Sequence, residues 1–137
     1  MKTYKQLSIL LVILSFFGCS NDDDNNGNGN QPTNRELLTS GKWYNESVTP
    51  GSYNDCEKTG YIQFSDNGTF TIESFDLNAG NCESFGIETG TFTLSNDINI
   101  SVLFEGETIT AVIVTITENS LTITTDEETI IFDKTEG

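Results

Sequence analysis

Apolar and polar residues alternate through most of the chain after Gly41, and turn-forming residues interrupt the alternation about every ten positions. A period of two is typical of strands that bury one face against a core. Before Gly41, Thr33 and Glu36 have the spacing of a capping box, which predicts one short helix. The alternation predicts eight strands, at about residues 42–48, 59–65, 69–75, 87–94, 98–104, 107–116, 121–125 and 128–133.

The hairpin around Asp66-Asn67-Gly68 has the clearest register. If Phe64 pairs with Phe70 and Ile62 with Ile72, all four side chains share one face and a three-residue loop remains. Such a loop requires a left-handed residue at its end, where the sequence has glycine. The same reasoning predicts the pairs Phe92–Ile100, Leu94–Ile98, Ile100–Ala111, Val102–Ile109, Leu121–Phe132 and Ile123–Ile130.

The stretch Ala111-Val112-Ile113-Val114 does not alternate, because it is apolar on both faces. Pairing it onward to the next strand uses Val112 and Val114 in place of Ile113. Either a β-bulge switches the faces here, or a neighbour covers the outer face. The sequence leaves both possibilities open.

Consecutive hairpins without helical crossovers predict an all-β domain, an eight-stranded antiparallel up-and-down barrel preceded by one short helix. A two-sheet sandwich is the alternative, since the segment 76–86 is long enough for a Greek-key connection. In the barrel, six aromatic side chains point inward: Trp43, Phe64, Phe70, Phe92, Phe104 and Phe132.

The N-terminus has the pattern of a secretory signal peptide over residues 1–18. Two lysines precede an apolar run over 7–17, which is too short for a spanning helix of roughly 20 residues. With Cys19 after the cut, the pattern resembles a bacterial lipoprotein signal, which implies acylation of Cys19 and attachment to the membrane by lipid. Residues 19–32 contain almost no apolar side chains and are predicted to be a disordered acidic tether, and residues 33–137 are predicted to form the domain.

The tether also resembles the surface-export signal of Bacteroidota lipoproteins, because the acid-rich stretch Asp22-Asp23-Asp24 lies just after Cys19. This resemblance implies an outer-membrane lipoprotein exposed on the cell surface, with the periplasmic face as the other possibility. Of three cysteines, acylation of Cys19 leaves Cys56 and Cys82, which predicts a disulfide in an oxidising compartment.

The net charge of −15 excludes a nucleic-acid partner, which requires clustered basic residues. Its simplest interpretation is solubility. The sequence has no histidine, the commonest general base and metal ligand. With both domain cysteines paired as well, we expect no enzyme activity, no cofactor and no metal. Calcium bound by oxygen ligands is the alternative, but no calcium-loop spacing occurs.

Gly41-Lys42-Trp43 opens the first strand directly after the predicted helix. Together with the Phe64–Phe70 hairpin, the cysteine pair and Gly90-Thr91-Phe92-Thr93-Leu94, this pattern resembles the small lipocalin-like domains on lipoproteins of Bacteroidota. The resemblance covers residues 35–133. It implies a β-barrel with a pocket at its open end that takes small apolar ligands.

Such a pocket is expected to open where the predicted loops 49–58 and 76–86 meet. The candidate ligand-binding residues are Trp43, Tyr53, Tyr61, Phe75 and Phe85. Two functions remain open for an expected monomer. One is a carrier or sensor of a small apolar or amphiphilic ligand, which requires a cavity. The other is a solid barrel that presents its loops to a protein or glycan.

Overall fold

The computed structural model describes residues 29–137, which begin with a short helix and continue as eight strands. The predicted signal peptide, Cys19 and most of the predicted tether lie outside the described residues. Within 29–137, no helix has the length and apolar character to cross a membrane. The elements are α1 (Asn34–Leu38), β1 (Lys42–Thr49), a 3-10 turn (Glu57–Thr59), β2 (Tyr61–Phe64), β3 (Thr69–Asn78), β4 (Asn81–Ser95), β5 (Asn99–Phe104), β6 (Glu107–Ile116), β7 (Ser120–Thr124) and β8 (Thr129–Asp133).

The strands form one closed antiparallel barrel in sequence order. Each strand pairs with the next, and β1 closes the barrel by pairing with β8 from Tyr44–Asp133 to Thr49–Thr129. The predicted eight-stranded up-and-down barrel is therefore confirmed, and the two-sheet sandwich is wrong. All connections after β2 are short, so each of these strands lies beside the one before it, and the pairing of β1 with β8 closes the sheet.

Most of the predicted registers are confirmed, including Phe64–Phe70, Ile62–Ile72 and the β5–β6 and β7–β8 pairs. The predicted β4–β5 register is wrong by two residues, since Phe92 pairs with Val102 and Leu94 with Ile100. The cause is the turn, in which Asn96 and Asp97 both have positive φ. Ile98 belongs to this loop and is exposed, so β5 begins one residue later.

A β-bulge resolves the stretch that is apolar on both faces. Ile113 pairs with Ile123 and Ile116 with Leu121, while the register shifts between Ile113 and Thr115. Val114 is the extra residue and its side chain is 60% exposed. The predicted pairing through Val112 and Val114 is therefore wrong, because the bulge keeps Ile113 in the core.

The predicted loop 76–86 is also wrong, because β3 and β4 continue through it as a hairpin. Ala79 and Gly80 both have positive φ, the requirement of a tight two-residue hairpin turn. Ser74 lies in a register shift opposite Phe85 and Gly86, and Gly86 has a φ of 99°. The extra residue on β4 forms a β-bulge, and a bulge bends the strand that carries it. The part of the hairpin beyond the bulge, from Phe75 to Ser84, therefore bends relative to the barrel wall.

The disulfide between Cys56 and Cys82 is present, with 5.4 Å between the two Cα atoms. Cys56 is buried in the β1–β2 connection, whereas Cys82 lies in the outer part of β4. The bond therefore joins a loop to a hairpin and not two loops as predicted. It ties the long β3–β4 hairpin to the connection beside it.

Helix α1 closes one end of the barrel. Its first turn has a complete capping box, in which the Thr33 N–H donates to Glu36 Oε2 over 2.7 Å. This hydrogen bond, joined by one from the Thr33 hydroxyl, holds the pKa of Glu36 below its usual range. Leu38, the last residue of α1, is fully buried, as is Trp43 at the start of β1. Trp43 Nε1 donates to the Leu38 carbonyl over 2.9 Å.

Lys134 completes the closed end after β8. Its Nζ lies 3.4 Å from the centroid of the Trp43 ring and has no hydrogen-bond partner among residues 29–137. The aromatic face stabilises the ammonium, while burial lowers the pKa of Lys134. The end of the barrel that carries α1 is thus filled by an indole ring and a cation.

Removal of the disulfide is expected to destabilise the barrel. A double substitution, Cys56→Ser with Cys82→Ser, frees a segment of 26 residues in the unfolded chain. The chain-entropy model gives a loss of about 3 kcal/mol in the free energy of unfolding, measurable by urea denaturation. Wild-type protein reduced before denaturation serves as the control and should lose a similar amount. An unchanged free energy of unfolding would contradict the constraint on the unfolded chain.

Candidate functional site

The barrel interior contains a cavity of about 510 Å³ that opens at the end opposite α1. Its volume lies in the range of ligand pockets in proteins, roughly 300–1,000 Å³. The six inward-facing aromatic residues therefore do not fill the barrel. The walls are mostly apolar, and they include Ile62, Phe64, Phe70, Ile72, Ile100, Val102, Phe104, Ile109, Ala111, Ile123, Ile130 and Phe132.

Aromatic rings set the depth of the cavity. Phe64 and Phe92 meet edge to face with 4.8 Å between ring centroids, and Phe70 lies 6.2 Å from Phe64. Phe92 is buried and does not line the cavity, so this cluster separates the open space from the closed end. Edge-to-face packing gives the floor a defined geometry.

Gly90 makes room for this floor. It pairs with Phe70, and a Cβ at this position would lie 2.6 Å from the Phe70 ring and 2.5 Å from the Leu103 carbonyl oxygen. Both distances are too short for any side chain. The glycine of Gly90-Thr91-Phe92 therefore lets the Phe70 ring lie directly against the backbone of β4.

Four of the five predicted ligand-binding residues line the cavity. Tyr53, Tyr61, Phe75 and Phe85 all contribute to its surface, and the Phe85 side chain is 74% exposed. Trp43 does not line the cavity, because the indole is fully buried at the closed end. The mouth lies where the β1–β2 connection meets the β3–β4 hairpin, as the sequence predicts.

The mouth also carries four carboxylates that the sequence analysis missed, namely Glu57, Glu73, Asp76 and Glu128. Ser84 Oγ donates to Glu73 over 2.7 Å, and the Asn54 N–H donates to Glu57 over the same distance. The strand order was the available signal. In an up-and-down barrel the connections β1–β2, β3–β4 and β7–β8 all lie at one end.

The pKa of Tyr53 responds to the negative charge at this mouth. Its side chain is half-buried between the cavity and solvent. Burial raises the pKa of Tyr53, and the negative charges of Glu128 and then Glu57 raise it further. The phenol therefore stays protonated to a higher pH than an exposed tyrosine, because burial and then the two carboxylates disfavour the tyrosinate.

A shallower groove of about 370 Å³ lies against the barrel wall and shares Ile100, Ala111 and Thr125 with the cavity. It is located where β6 lacks a partner on one edge, since β6 pairs with β7 only from Val112 onward. Within 29–137, no group of three or more histidine, cysteine or acidic side chains is arranged to hold a metal ion.

A family model for the lipocalin-like domain matches residues 39–123. This chain belongs to the lipocalin-like family. The fold has generally non-enzymatic binding and transport roles. None of the curated proteins matches this sequence.

Two crystal structures share the fold. A lipocalin-like protein from Bacteroides uniformis ATCC 8492 superposes with a TM-score of 0.55 and 18% sequence identity, over 72% of this chain and 99% of that protein. An uncharacterized protein from Bacteroides eggerthii DSM 20697 gives a TM-score of 0.53 and 14% identity, over 69% and 98%. At these identities the similarity concerns the lipocalin-like fold alone.

The substitution Glu128→Gln is expected to lower the pKa of Tyr53 toward its ordinary value. It removes the larger of the two carboxylate contributions, while burial keeps the pKa raised. Spectrophotometric titration of tyrosinate, with a Tyr53→Phe protein as the difference reference, measures the shift. Glu118→Gln, in the turn after β6 at the closed end, should leave the titration unchanged. An identical titration in wild type and Glu128→Gln would contradict an effect of the Glu128 charge on Tyr53.

Proposed function

We propose that this protein is an envelope-anchored lipocalin-like lipoprotein that binds a small apolar or amphiphilic ligand in its barrel. The observation that carries the proposal is the cavity of about 510 Å³ with one sealed and one open end. An empty apolar cavity leaves its lining atoms without partners on one side. A ligand that fills the cavity restores these contacts. Its transfer out of water stabilises the complex by about 25 cal/mol per Å² of apolar area that is buried.

The disulfide supports this use of the open end. Cys82 ties the hairpin that carries Phe75 and Phe85 to the connection that carries Tyr53. A mouth held in place loses less conformational entropy when a ligand binds than a free hairpin would. The bond therefore favours a preformed entrance.

A second candidate function is an interaction module for a protein or surface glycan. The observation that favours it is the apolar exposure on the β3–β4 hairpin, where Leu77, Phe85 and Ile87 are 54%, 74% and 62% exposed. Exposed apolar patches mark interaction sites when they are contiguous. The same hairpin borders the cavity, so a partner at this end would cover the entrance.

The N-terminal sequence supports attachment through a lipid on Cys19. A basic start, a short apolar run and a glycine before the cysteine match the lipoprotein pattern. We propose an outer-membrane location with exposure on the cell surface, because the acid-rich stretch Asp22-Asp23-Asp24 lies just after Cys19. The tether to residue 32 would hold a monomeric barrel away from the membrane.

Filling the cavity is expected to abolish ligand binding. Ala111 faces inward opposite Ile100, so Ala111→Phe places an aromatic ring in the open space. The probe is N-phenyl-1-naphthylamine, a neutral apolar dye whose fluorescence increases out of water. All strands, α1 and the disulfide lie within 33–137, so an unlipidated chain from Ser20 keeps the whole core. We expect at least about a tenfold loss of affinity, or about 1.4 kcal/mol.

Thr108→Phe is the matched control, because Thr108 is exposed on the same strand and pairs with Leu103. It adds the same ring outside the barrel and should leave the dye affinity unchanged. Thermal denaturation of both variants checks that they fold. Failure of the wild-type protein to bind the dye, or equal binding by the folded Ala111→Phe variant, would refute binding in the cavity.

Acylation is expected to depend on Cys19. Cells that express the full chain and receive radioactive palmitate should label the wild-type protein, and Cys19→Ala should remove the label. Cys56→Ala is the matched control, because it replaces another cysteine and should keep the label. Digestion of intact cells by an external protease tests the surface location. Label on the Cys19→Ala protein would contradict lipid attachment at this residue.

A further inference from the structure

We propose that the cavity selects ligands with an apolar body and a cationic head, such as alkyl amines or alkyl ammonium compounds, over anionic amphiphiles. This inference rests on the proposed function, because it names the ligand class of the same cavity. It depends on two features of the described residues. Negative charge surrounds the mouth, and every basic side chain is engaged elsewhere.

The carboxylates at the mouth come from three separate parts of the barrel. Glu57 belongs to the 3-10 turn, Glu73 and Asp76 to β3, and Glu128 to the connection between β7 and β8. Within the described part of the chain, no lysine or arginine lines the cavity. The acidic side chains are therefore distributed around the entrance, with apolar walls below them.

The basic residues of the described part are all held by other partners. The chain has six, and Lys2 and Lys5 precede residue 29, which leaves four. Three of these stack on aromatic rings and the fourth pairs with Glu46, so none of the four forms an ion pair with a carboxylate of the mouth. They are Arg35, 5.7 Å from the Phe92 centroid, Lys42, 3.6 Å from that of Tyr61, Lys134, 3.4 Å from that of Trp43, and Lys58, 3.4 Å from Glu46 Oε1.

This arrangement distinguishes ligands by the charge of their heads. A bound alkyl chain lies along the apolar walls and leaves its head at the level of Glu57, Glu73 and Glu128. A positive head there is attracted, and a carboxylate or sulfate head is repelled. The raised pKa of Tyr53 has the same physical cause in part, since Glu128 and Glu57 disfavour a negative charge beside them.

Three probes with the same ten-carbon chain separate head charge from apolar fit: decyltrimethylammonium, decanol and decanoate. Isothermal titration calorimetry measures each on the unlipidated chain from Ser20, with the two ionic probes below their critical micelle concentrations and decanol below its solubility limit. At low salt we expect decyltrimethylammonium to bind about tenfold more tightly than decanol and decanoate more weakly than both. Sodium chloride at 0.5 M should reduce the differences, because it screens the charges.

The double substitution Glu57→Gln with Glu128→Gln tests whether the mouth is responsible. It should weaken decyltrimethylammonium severalfold and leave decanol unchanged. Glu118→Gln with Asp97→Asn is the matched control, because it removes two charges from turns at the closed end. Equal loss of ammonium binding in both double variants would assign the preference to net charge and overturn the inference.

The three probes also separate this inference from the proposed function. Similar affinities for all three, or tightest binding of decanoate, would overturn the cationic preference while the apolar cavity remains a binding site. Binding of none of the three would overturn the proposed function, and the inference with it. Decyltrimethylammonium that binds in the cavity should no longer bind to the Ala111→Phe variant. Binding that persists in this variant would indicate attachment to the outer surface.

Discussion

The pairing of β1 with β8 is the constraint on which the rest of the structure depends. It closes the sheet, so every strand has its hydrogen bonds satisfied on both sides near the middle of the barrel. Closure also creates two distinct ends, because successive connections alternate between them. Helix α1, Trp43 and Lys134 fill one end. The other end lacks such a plug, and the cavity exists because the aromatic floor stops short of it.

The β3–β4 hairpin differs from the other hairpins because it extends beyond the closed part of the barrel. Its strands extend beyond their outer neighbours, since β4 pairs with β5 only from Thr91 onward. The extension exposes apolar side chains and an unpaired strand edge, both of which favour association. The bulge at Gly86 and the bond from Cys82 restrain the hairpin beside the mouth. The restrained hairpin borders the cavity, so its position sets the width of the entrance.

Sequence reasoning succeeded where local turn chemistry and side-chain alternation agree, as in the Phe64–Phe70 hairpin. It failed where the backbone departs from alternation. Ile98 looks like a strand residue but lies in a loop opened by two left-handed residues, and the Val114 bulge resets the faces of β6. The aromatic rim residues were predictable because Tyr53 and Phe85 lie in the two longest predicted loops and Tyr61 and Phe75 lie in the strands next to them. The carboxylates were not singled out, because residues as far apart as Glu57 and Glu128 meet only after the barrel closes.

The distribution of charge changes the meaning of the acidic composition. Solubility explains a net charge of −15 but is indifferent to where the charges lie. In the barrel, three of the four described basic residues use their charge on aromatic faces, with Arg35 and Lys134 at the closed end. Among the described residues, the carboxylates at the mouth form no ion pair with a basic side chain. Negative charge at the mouth favours a cationic head over an anionic one, whether or not selection produced this arrangement. A cationic amphiphile therefore matches both the apolar walls and the acidic mouth.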